Sequence, residues 1–394
     1  MNFAKANIAL LVVTAALAVP TGMQLWSDAE SFVDYSRIPL MFDGFTPENV
    51  GTILIAKPKS EEEQPKPNPQ KPDQKVAVAY DQLLIQRSDK GWAIGQAPGV
   101  PSKLAGAPVN TQRVETDVFD HLGKIRVDQQ TILQAAATEE QLAEYGLDEK
   151  SATVVRVTDP TGQNVLAALY IGASANEKLK GSEGVNGIFV RAANSTDVVL
   201  YEFERPWRLG VETDQWLERV LLKLSPEAIT RFSLANAASQ GKPIVLSRAE
   251  GTAAWTCDAP PAGRGAVRQA EVEGVIGRLR WISVQEFRMR IEQASNLALL
   301  GIQPPDIAFE LTFKDGDSER TAKFQVGKHV DGDENVFYFA SSEAPFLMTW
   351  PAGMVTPLEV DVAQNWFDPS GPPPAPQDPP PDPGKGQPAD PNKK

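Results

Sequence analysis

The sequence predicts an α+β protein built from two homologous repeats, each a mainly antiparallel sheet with helices on one face, preceded by one transmembrane helix. Three observations lead to this prediction: an uncharged apolar run near the N-terminus, a series of motifs that occurs twice in the same order, and strand patterns interrupted by one amphipathic helix per repeat. With 394 residues, of which 42% are hydrophobic, the chain is long enough for more than one domain with its own core.

The N-terminal run comprises residues 8–26, which include no charged side chain. Its length is close to the ~20 residues that a helix needs to cross the hydrocarbon core of a bilayer. Trp26 stands at its far end, where an aromatic anchor is common, while Lys5 precedes the run and Asp28 follows it. Because positive charge favours the cytoplasmic side, residues 1–7 are expected in the cytoplasm and the bulk of the chain on the far side of the membrane, which for a bacterial inner membrane is the periplasm.

Two other interpretations of this run stay open. Ala16-Leu17-Ala18 fits the small-x-small pattern of a signal-peptide cleavage site, in which case the protein is secreted after cleavage. The apolar run continues beyond that point, which favours a retained anchor. A buried core helix is the third interpretation, and it is the only one that does not export the chain.

The motif series begins with Thr46–Val50, which is matched by Ser225–Ile229, and each is followed by a predicted strand. Further along, Leu142–Asp148 is matched by Leu297–Gln303. The offset between matched residues shrinks steadily along the chain, mostly across a polar insert at residues 57–75. Matches in a constant order with one explained gap indicate an internal repeat.

Each repeat has one apolar stripe with helical spacing, which predicts a helix packed on a sheet. The two stripes consist of Val118, Phe119, Leu122, Ile125 and Val127, and of Val275, Ile276, Leu279, Ile282 and Val284. Gly146 and Gly301 follow in positions typical of a helix C-terminal cap, where a positive φ favours glycine. Three strands and one further strand are then predicted in each repeat, with turns at residues 159–162 and 314–317.

The predicted organisation therefore has six consecutive parts, the third of which contains an insert. They are a cytoplasmic N-terminus (1–7), an anchor (8–26), the first repeat (44–205) with its solvated insert (57–75), a linker (206–223), the second repeat (224–362) and a proline-rich disordered tail (368–394). The insert lacks apolar residues and the tail favours polyproline II, so neither is expected to pack; a docking role for the tail is the alternative. The linker residues Trp207, Trp216, Leu217 and Leu221 are expected to pack at the domain junction.

The residue types disfavour several classes of function. A formal net charge of −13 disfavours nucleic acid as a partner, because phosphate binding needs clustered Lys and Arg. The single cysteine, Cys257, excludes an internal disulfide, and it is expected to act as a small buried hydrophobe. The two histidines, His121 and His329, are far apart in sequence and are expected at the surface. No catalytic, cofactor-binding or metal-binding residue is predicted, and the protein is expected not to be an enzyme.

Two weak chemical motifs are better explained by structural roles. Ser239 and Lys242 fit a Ser-x-x-Lys pattern but lie between two predicted strands, and residues 331–335 resemble part of a calcium loop but are flanked by strands, which favours a hairpin turn. A hydrolase with a hidden carboxylate pair stays open, because the geometry of such a pair is three-dimensional.

Several segments resemble one bacterial family. They are Gly44–Val50, Lys90–Trp92, Leu142–Asp148, Tyr170–Gly172 and Gly187–Arg191, and Leu142–Asp148 is the most specific. Together with the N-terminal run they resemble the domain-of-unknown-function 4340 family over roughly residues 8–360. The insert and the proline-rich tail depart from the family's usual pattern.

The resemblance implies a single membrane anchor and duplicated α+β units, often encoded beside ABC-type transporter and gliding-motility-associated proteins. No catalytic residues are established for the family, so none is carried over. The resulting hypothesis is a membrane-anchored extracytoplasmic accessory or scaffold protein, with the inner membrane and ABC-type transporter subunits as partners. The alternative is a periplasmic binding module for an envelope glycan or peptide, with its site in the cleft between the repeats.

Overall fold

A computed structural model describes residues 39–66, 77–96, 102–129, 131–178, 186–205, 207–249 and 254–369. The predicted cytoplasmic N-terminus (1–7) and anchor (8–26) lie outside these residues, as do residues 67–75 of the insert and the tail beyond Pro369. Of the part of the insert that is described, Lys57 and Pro58 end a strand, and Gln64 is tied to the carbonyl of Lys59 by a side-chain hydrogen bond of 2.8 Å. No helix within the described ranges is long and apolar enough to cross a membrane.

Strands dominate the described chain. In chain order they are β1 (Thr52–Pro58), β2 (Tyr80–Ser88), β3 (Gly91–Ile94), β4 (Pro108–Val109), β5 (Ile132–Gln134), β6 (Thr153–Thr158), β7 (Val165–Ser174), β8 (Gly187–Ala192), β9 (Val198–Glu202), β10 (Val220–Lys223), β11 (Ile229–Ala235), β12 (Ile244–Ser247), β13 (Arg264–Val267), β14 (Trp281–Ser283), β15 (Glu286–Arg290), β16 (Ile307–Asp315), β17 (Ser318–Val330), β18 (Asp333–Ser341), β19 (Phe346–Pro351) and β20 (Phe367–Pro369).

The helices are short. They are α1 (Thr111–Val114), continued by a π-helical turn (Glu115–Phe119) into α2 (Asp120–Leu122), then α3 (Glu139–Glu144), α4 (Ala175–Lys178), α5 (Gln269–Leu279), α6 (Ala352–Val355) and α7 (Val362–Asn365). Single 3₁₀ turns occur at Pro47–Asn49, Thr213–Gln215, Pro226–Ala228, Ile291–Gln293 and Thr356–Leu358. The mainly antiparallel α+β class is confirmed, with a smaller helical share than the sequence predicted.

The chain forms two compact units, each of which combines two stretches of sequence. The first contains the described residues up to Gln82 and residues 114–211, and the second contains residues 83–113 and those from Glu212 onward. The boundary falls within β2, whereas the sequence predicted two continuous repeats.

The sheet of the first unit has the strand order β1-β6-β7-β8-β9-β5. The main sheet of the second unit has the order β12-β11-β16-β17-β18-β19-β15. In both, the strand after a Pro-containing 3₁₀ turn pairs with the first of four strands joined in succession, and a short strand from earlier in the chain closes the far edge. The second unit also contains the β2-β3-β4 ladder and the pairs β10-β14 and β13-β20.

One face of each sheet is apolar and fully buried, as strand periodicity requires. In the first unit Ile53 lies opposite Val157, and both side chains are completely buried. In the second unit Phe232 lies opposite Leu311 and is equally buried. A row of stacked rings extends this second core, with centroid distances of 4.8 Å (Phe309–Phe324), 5.9 Å (Phe324–Phe339) and 4.7 Å (Phe339–Trp350).

The predicted amphipathic helices end one turn earlier than the apolar stripes indicate. The first helical segment ends at Leu122, and Ile125 lies beyond it in a segment whose carbonyl accepts a 2.8 Å hydrogen bond from the amide of Met41. The second ends at Leu279, and Ile282 lies in β14, paired with Leu222. Both isoleucines are buried, so the prediction that these positions face a core was correct. Pairing with segments from elsewhere in the chain replaces the last helical turn.

In both units, a turn that follows the apolar helix packs with its backbone directly against a strand of the sheet. Gly146 and Gly301 take φ values of +68° and +70°, as the sequence predicted. The carbonyl before each accepts a 2.9 Å hydrogen bond from the strand: Tyr145 from the amide of Ala173, and Leu300 from the amide of Lys328.

Two strand glycines make this approach possible. A Cβ at Gly172 would lie 2.3 Å from the carbonyl oxygen of Tyr145, and a Cβ at Gly327 would lie 2.1 Å from that of Leu300. These distances leave no room for a side chain against backbone. We name the two contacts the turn clamps.

Replacing Gly172 or Gly327 with Ala is therefore expected to destabilise the corresponding unit by about 2–3 kcal/mol or more, because the turn must move off the sheet. Limited proteolysis of the full chain with mass spectrometry should detect earlier cleavage in the unit that carries the change.

Gly274→Ala is the matched control. Gly274 lies inside α5, where a Cβ would meet nothing within 4 Å, so this variant should be unchanged or more stable by about 0.5–1 kcal/mol. Equal resistance of all three variants to the protease would show that the clamps do not limit stability.

Candidate functional site

Three of the five segments that carry the family resemblance meet around the first turn clamp: Leu142–Asp148, Tyr170–Gly172 and Gly187–Arg191. The buried side chain of Arg191 donates from Nε to the carbonyl of Leu147 at 3.1 Å and from a terminal nitrogen to that of Ser195 at 3.3 Å. Its guanidinium lies 3.7 Å from the ring centroid of Tyr170. Tyr145 packs edge-on against Phe189 at 4.8 Å.

These contacts give the motif residues a packing role. Arg191 satisfies carbonyls of the turn and the following loop, and its cation rests on an aromatic face, which is a favourable arrangement for a buried guanidinium. The most specific sequence motif of the chain thus specifies how a turn is attached to a sheet.

His121 was expected at the surface, and that expectation was wrong, since its side chain is only 6% exposed. It lies stacked on Trp207 at 4.7 Å, with an interplanar angle of 13°, and its Nδ1 is hydrogen-bonded to the Tyr201 hydroxyl at 3.0 Å. Trp207 donates from its indole nitrogen to the carbonyl of Asp117 at 2.5 Å. The aromatic neighbours come from β9 and the segment after it, so sequence spacing could not reveal the burial.

The surroundings keep His121 neutral. Burial, and secondarily the positive charge of Lys124, lower the pKa of His121 to about 4, although Asp120 opposes the shift. Burial, with a smaller contribution from Asp120, raises the pKa of Tyr201 to about 12. Both side chains are therefore uncharged over the physiological range, and their hydrogen bond joins two neutral groups.

Other residues singled out in the sequence have structural surroundings. Cys257 is partly buried, and burial raises the pKa of its thiol, which disfavours the reactive thiolate. Beside Trp255, Thr256 forms one isolated bridge with Ser247. His329 lies exposed in β17, as expected for a surface residue, and its ring is 3.9 Å from that of Phe337. The described residues contain no group of three or more His, Cys, Asp or Glu side chains placed to hold a metal ion.

The two weak motifs form turns. Ser239 donates its hydroxyl to the carbonyl of Asn236 at 3.0 Å, and the amide of Lys242 donates to the Ser239 carbonyl at 3.0 Å, which closes the turn between β11 and β12. Residues 331–332 turn between β17 and β18, with Gly332 at φ +83°. The linker aromatics are divided between the units: Trp207 belongs to the first, and the fully buried Trp216 to the second, under the guanidinium of Arg113 at 4.8 Å.

One candidate for a binding site among the described residues is a groove on the second unit's main sheet, on the face opposite its core. Its volume is about 550 Å³, within the range of ligand sites. We call it the β11–β16 groove. It is lined by Arg231, Ser233, Ala235, Gly241, Pro243, Val245, Ala308, Glu310, Thr312 and Thr321.

Strand pairing sets the side chains of this groove in rows. Ser233 lies opposite Glu310, which lies opposite Lys323 on β17. In the next row Arg231 lies opposite Thr312, which lies opposite Thr321. The alternate residues of these strands fill the core, so the polar row and the buried row are fixed by the same register.

Only some of the polar side chains in the groove have partners among the described residues. Glu310 pairs with Lys323 at 3.2 Å, and the hydroxyls of Thr312 and Thr321 are hydrogen-bonded at 3.0 Å. The exposed Arg231 guanidinium has no hydrogen bond or ion pair with any residue that the structure describes, and neither does the Ser233 hydroxyl. The groove therefore offers a fork of donors suited to a carboxylate, beside a hydroxyl and small apolar residues.

Sequence reasoning predicted no site residue, and it missed this groove. The alternating pattern Arg231-Phe232-Ser233-Leu234 signals a strand with one polar face, but only the pairing with β16 places Arg231 and Glu310 on the same surface.

The burial of His121 gives a testable pH dependence. Its folded pKa of about 4 lies below its ordinary value of 6.5, so the unfolded chain takes up a proton first as the pH falls. The stability is complete above about pH 6.5 and decreases as the pH drops towards 4, by roughly 1–2 kcal/mol at about pH 5.

Urea unfolding of the full chain at about pH 7 and about pH 5 should show this decrease in the free energy of unfolding. In His121→Phe the decrease should be smaller by roughly 1–2 kcal/mol, because the titrating side chain is absent. Tyr201→Phe, which leaves the histidine buried, serves as the control and should retain the pH dependence. An unchanged dependence in His121→Phe would exclude this histidine as its source.

Comparison with known proteins gives one match. The profile of the family described as Domain of unknown function (DUF4340) matches residues 101–288, which include the first turn clamp, Arg191 and helix α5. Neither the curated proteins nor the solved structures yield a match. The family whose profile matches residues 101–288 is therefore the same one, DUF4340, that the sequence motifs resemble.

Proposed function

We propose that this protein is a membrane-anchored extracytoplasmic accessory or scaffold protein that holds a partner protein through the β11–β16 groove. It has no enzymatic activity of its own. The observation that carries the proposal is the exposed guanidinium of Arg231, which has no partner among the described residues and lies in an open groove on a sheet. The uncharged run at residues 8–26 supports the anchorage, and the order of strands shared by the two sheets supports an origin by duplication.

The groove suits a polypeptide segment that carries a carboxylate. Arg231 can form two parallel hydrogen bonds to such a group, while Ala235 and Ala308 leave space beside it for a backbone. Sites on sheets hold their side chains in more fixed positions than sites on loops. Subunits of an ABC-type transporter are the partners that the family resemblance favours.

Affinity purification of the tagged full chain from membranes tests this proposal. Transporter subunits should be recovered with the native chain, and recovery should fall at least about tenfold with Arg231→Glu, because the reversed charge repels the partner's carboxylate. The matched control is Lys328→Glu, a charge reversal on the exposed part of β17 outside the groove. Repeated recovery of this chain alone, or equal recovery with both variants, would contradict the proposal.

A second function is favoured by the volume of the groove and by its hydroxyl groups. It is a binding module for an envelope glycan or peptide, located in the β11–β16 groove. Under this function, cell-wall glycopeptide fragments should protect the groove strands from hydrogen exchange in the native chain but not in Arg231→Glu, while transporter subunits are not recovered.

A further inference from the structure

A second surface, away from the groove residues, combines an exposed tryptophan with basic side chains. Trp281 begins β14 and is 49% exposed, although its neighbours Ile282 and Val284 are buried. Lys223 lies opposite it in the β10–β14 pair, with Nζ 4.8 Å from the ring centroid. Strand alternation thus directs one large aromatic ring outward.

Two arginines extend this surface along the chain. Arg278 and Arg280 are exposed, and Nε of Arg280 donates to the carbonyl of Gly277 at 3.2 Å. Neither arginine nor Lys223 forms an ion pair with a described residue. The surface that contains Trp281 thus has three positive side chains without ion pairs, although the whole chain has a net charge of −13. We call these four residues the Trp281 surface.

The adjoining helix face is open. A Cβ added at Gly274 or Gly277 of α5 would meet no atom within 4 Å. Glycine within an exposed helix costs about 1 kcal/mol relative to alanine, so these positions have no stability benefit that the structure explains. Because these glycines have no side chain, the helix surface next to the tryptophan does not protrude, and a flat partner can approach it.

We propose that the Trp281 surface lies against an anionic phospholipid surface. Tryptophan is enriched at the headgroup level of bilayers, and Lys or Arg near an anionic leaflet is attracted by its surface potential. An acidic protein could also match the charges and the ring, and absence of lipid-dependent quenching at position 277 would favour it. The inference rests on the membrane anchorage of the proposed function, since a tether keeps the surface at a high effective concentration near the bilayer.

The test uses the full chain with Cys257→Ser, so that a single new cysteine can carry a fluorophore. Gly277→Cys places the label beside Trp281 without removing it, and Leu299→Cys, at a residue 67% exposed, is the control position. The labelled chain is mixed with vesicles of phosphatidylcholine, with or without about one quarter phosphatidylglycerol, and quenching by spin-labelled lipid is measured.

The label at 277 should be quenched several-fold more in the anionic vesicles than in the neutral ones, and high salt should reverse the difference. The double variant Arg278→Glu and Arg280→Glu should abolish this difference in quenching, and Trp281→Ala should reduce it. The label at position 299 should show no difference between the two vesicle types. Hydrogen exchange of α5 checks that each variant remains folded.

Flotation of the same vesicles separates this inference from the anchorage. A chain that floats with both vesicle types but shows no lipid-dependent quenching at 277 overturns the Trp281 surface and leaves the anchor intact. A chain that floats only with anionic vesicles and is quenched supports the surface and contradicts the anchor. Failure to float with either vesicle type, or quenching that is insensitive to the arginine reversals, overturns the inference.

Discussion

The close approach of a glycine-ended turn to a glycine in the neighbouring strand organises both units. At each turn clamp a backbone carbonyl takes the space that a Cβ would occupy and accepts a hydrogen bond from the strand. This contact buries small apolar clusters on the sheet face opposite the main core: one around Leu142, Leu147 and Phe189, the other around Ile302, Ala340 and Leu347. The far end of each sheet is thereby covered on both faces, while its other end has a face open to solvent.

That division explains where a binding site can form. In the second unit the covered end includes β18 and β19, and the open face lies over β11, β12 and β16. The rows of this face differ between the units: Leu54 lies opposite Arg156 in the first unit, where Ser233 lies opposite Glu310 in the second. Similar strand orders therefore present different surfaces, because the core fixes only every other residue of a strand.

Much of the architecture was predictable from the sequence. The strands with alternating apolar residues, the hairpin turns containing Gly162 and Gly316, and the positive φ of Gly146 and Gly301 all depend on local chemistry, and the structure has each of them. The short strands β5 and β15 were not predicted. They have only three and five residues, and they form because the last long strand of each sheet offers them a free edge.

The sequence by itself determined the positions of the apolar residues, the turns and the repeated order of motifs, since these follow from periodicity and from the backbone freedom of glycine. Only the tertiary structure decided which residues outside the core share a surface. His121 is buried because Tyr201 and Trp207 reach it from far along the chain, and Arg231 lies on the same face as Glu310 only through the pairing of β11 with β16. Such neighbours are set by the register between distant strands, and the local sequence pattern does not specify which strands far apart in the chain will pair.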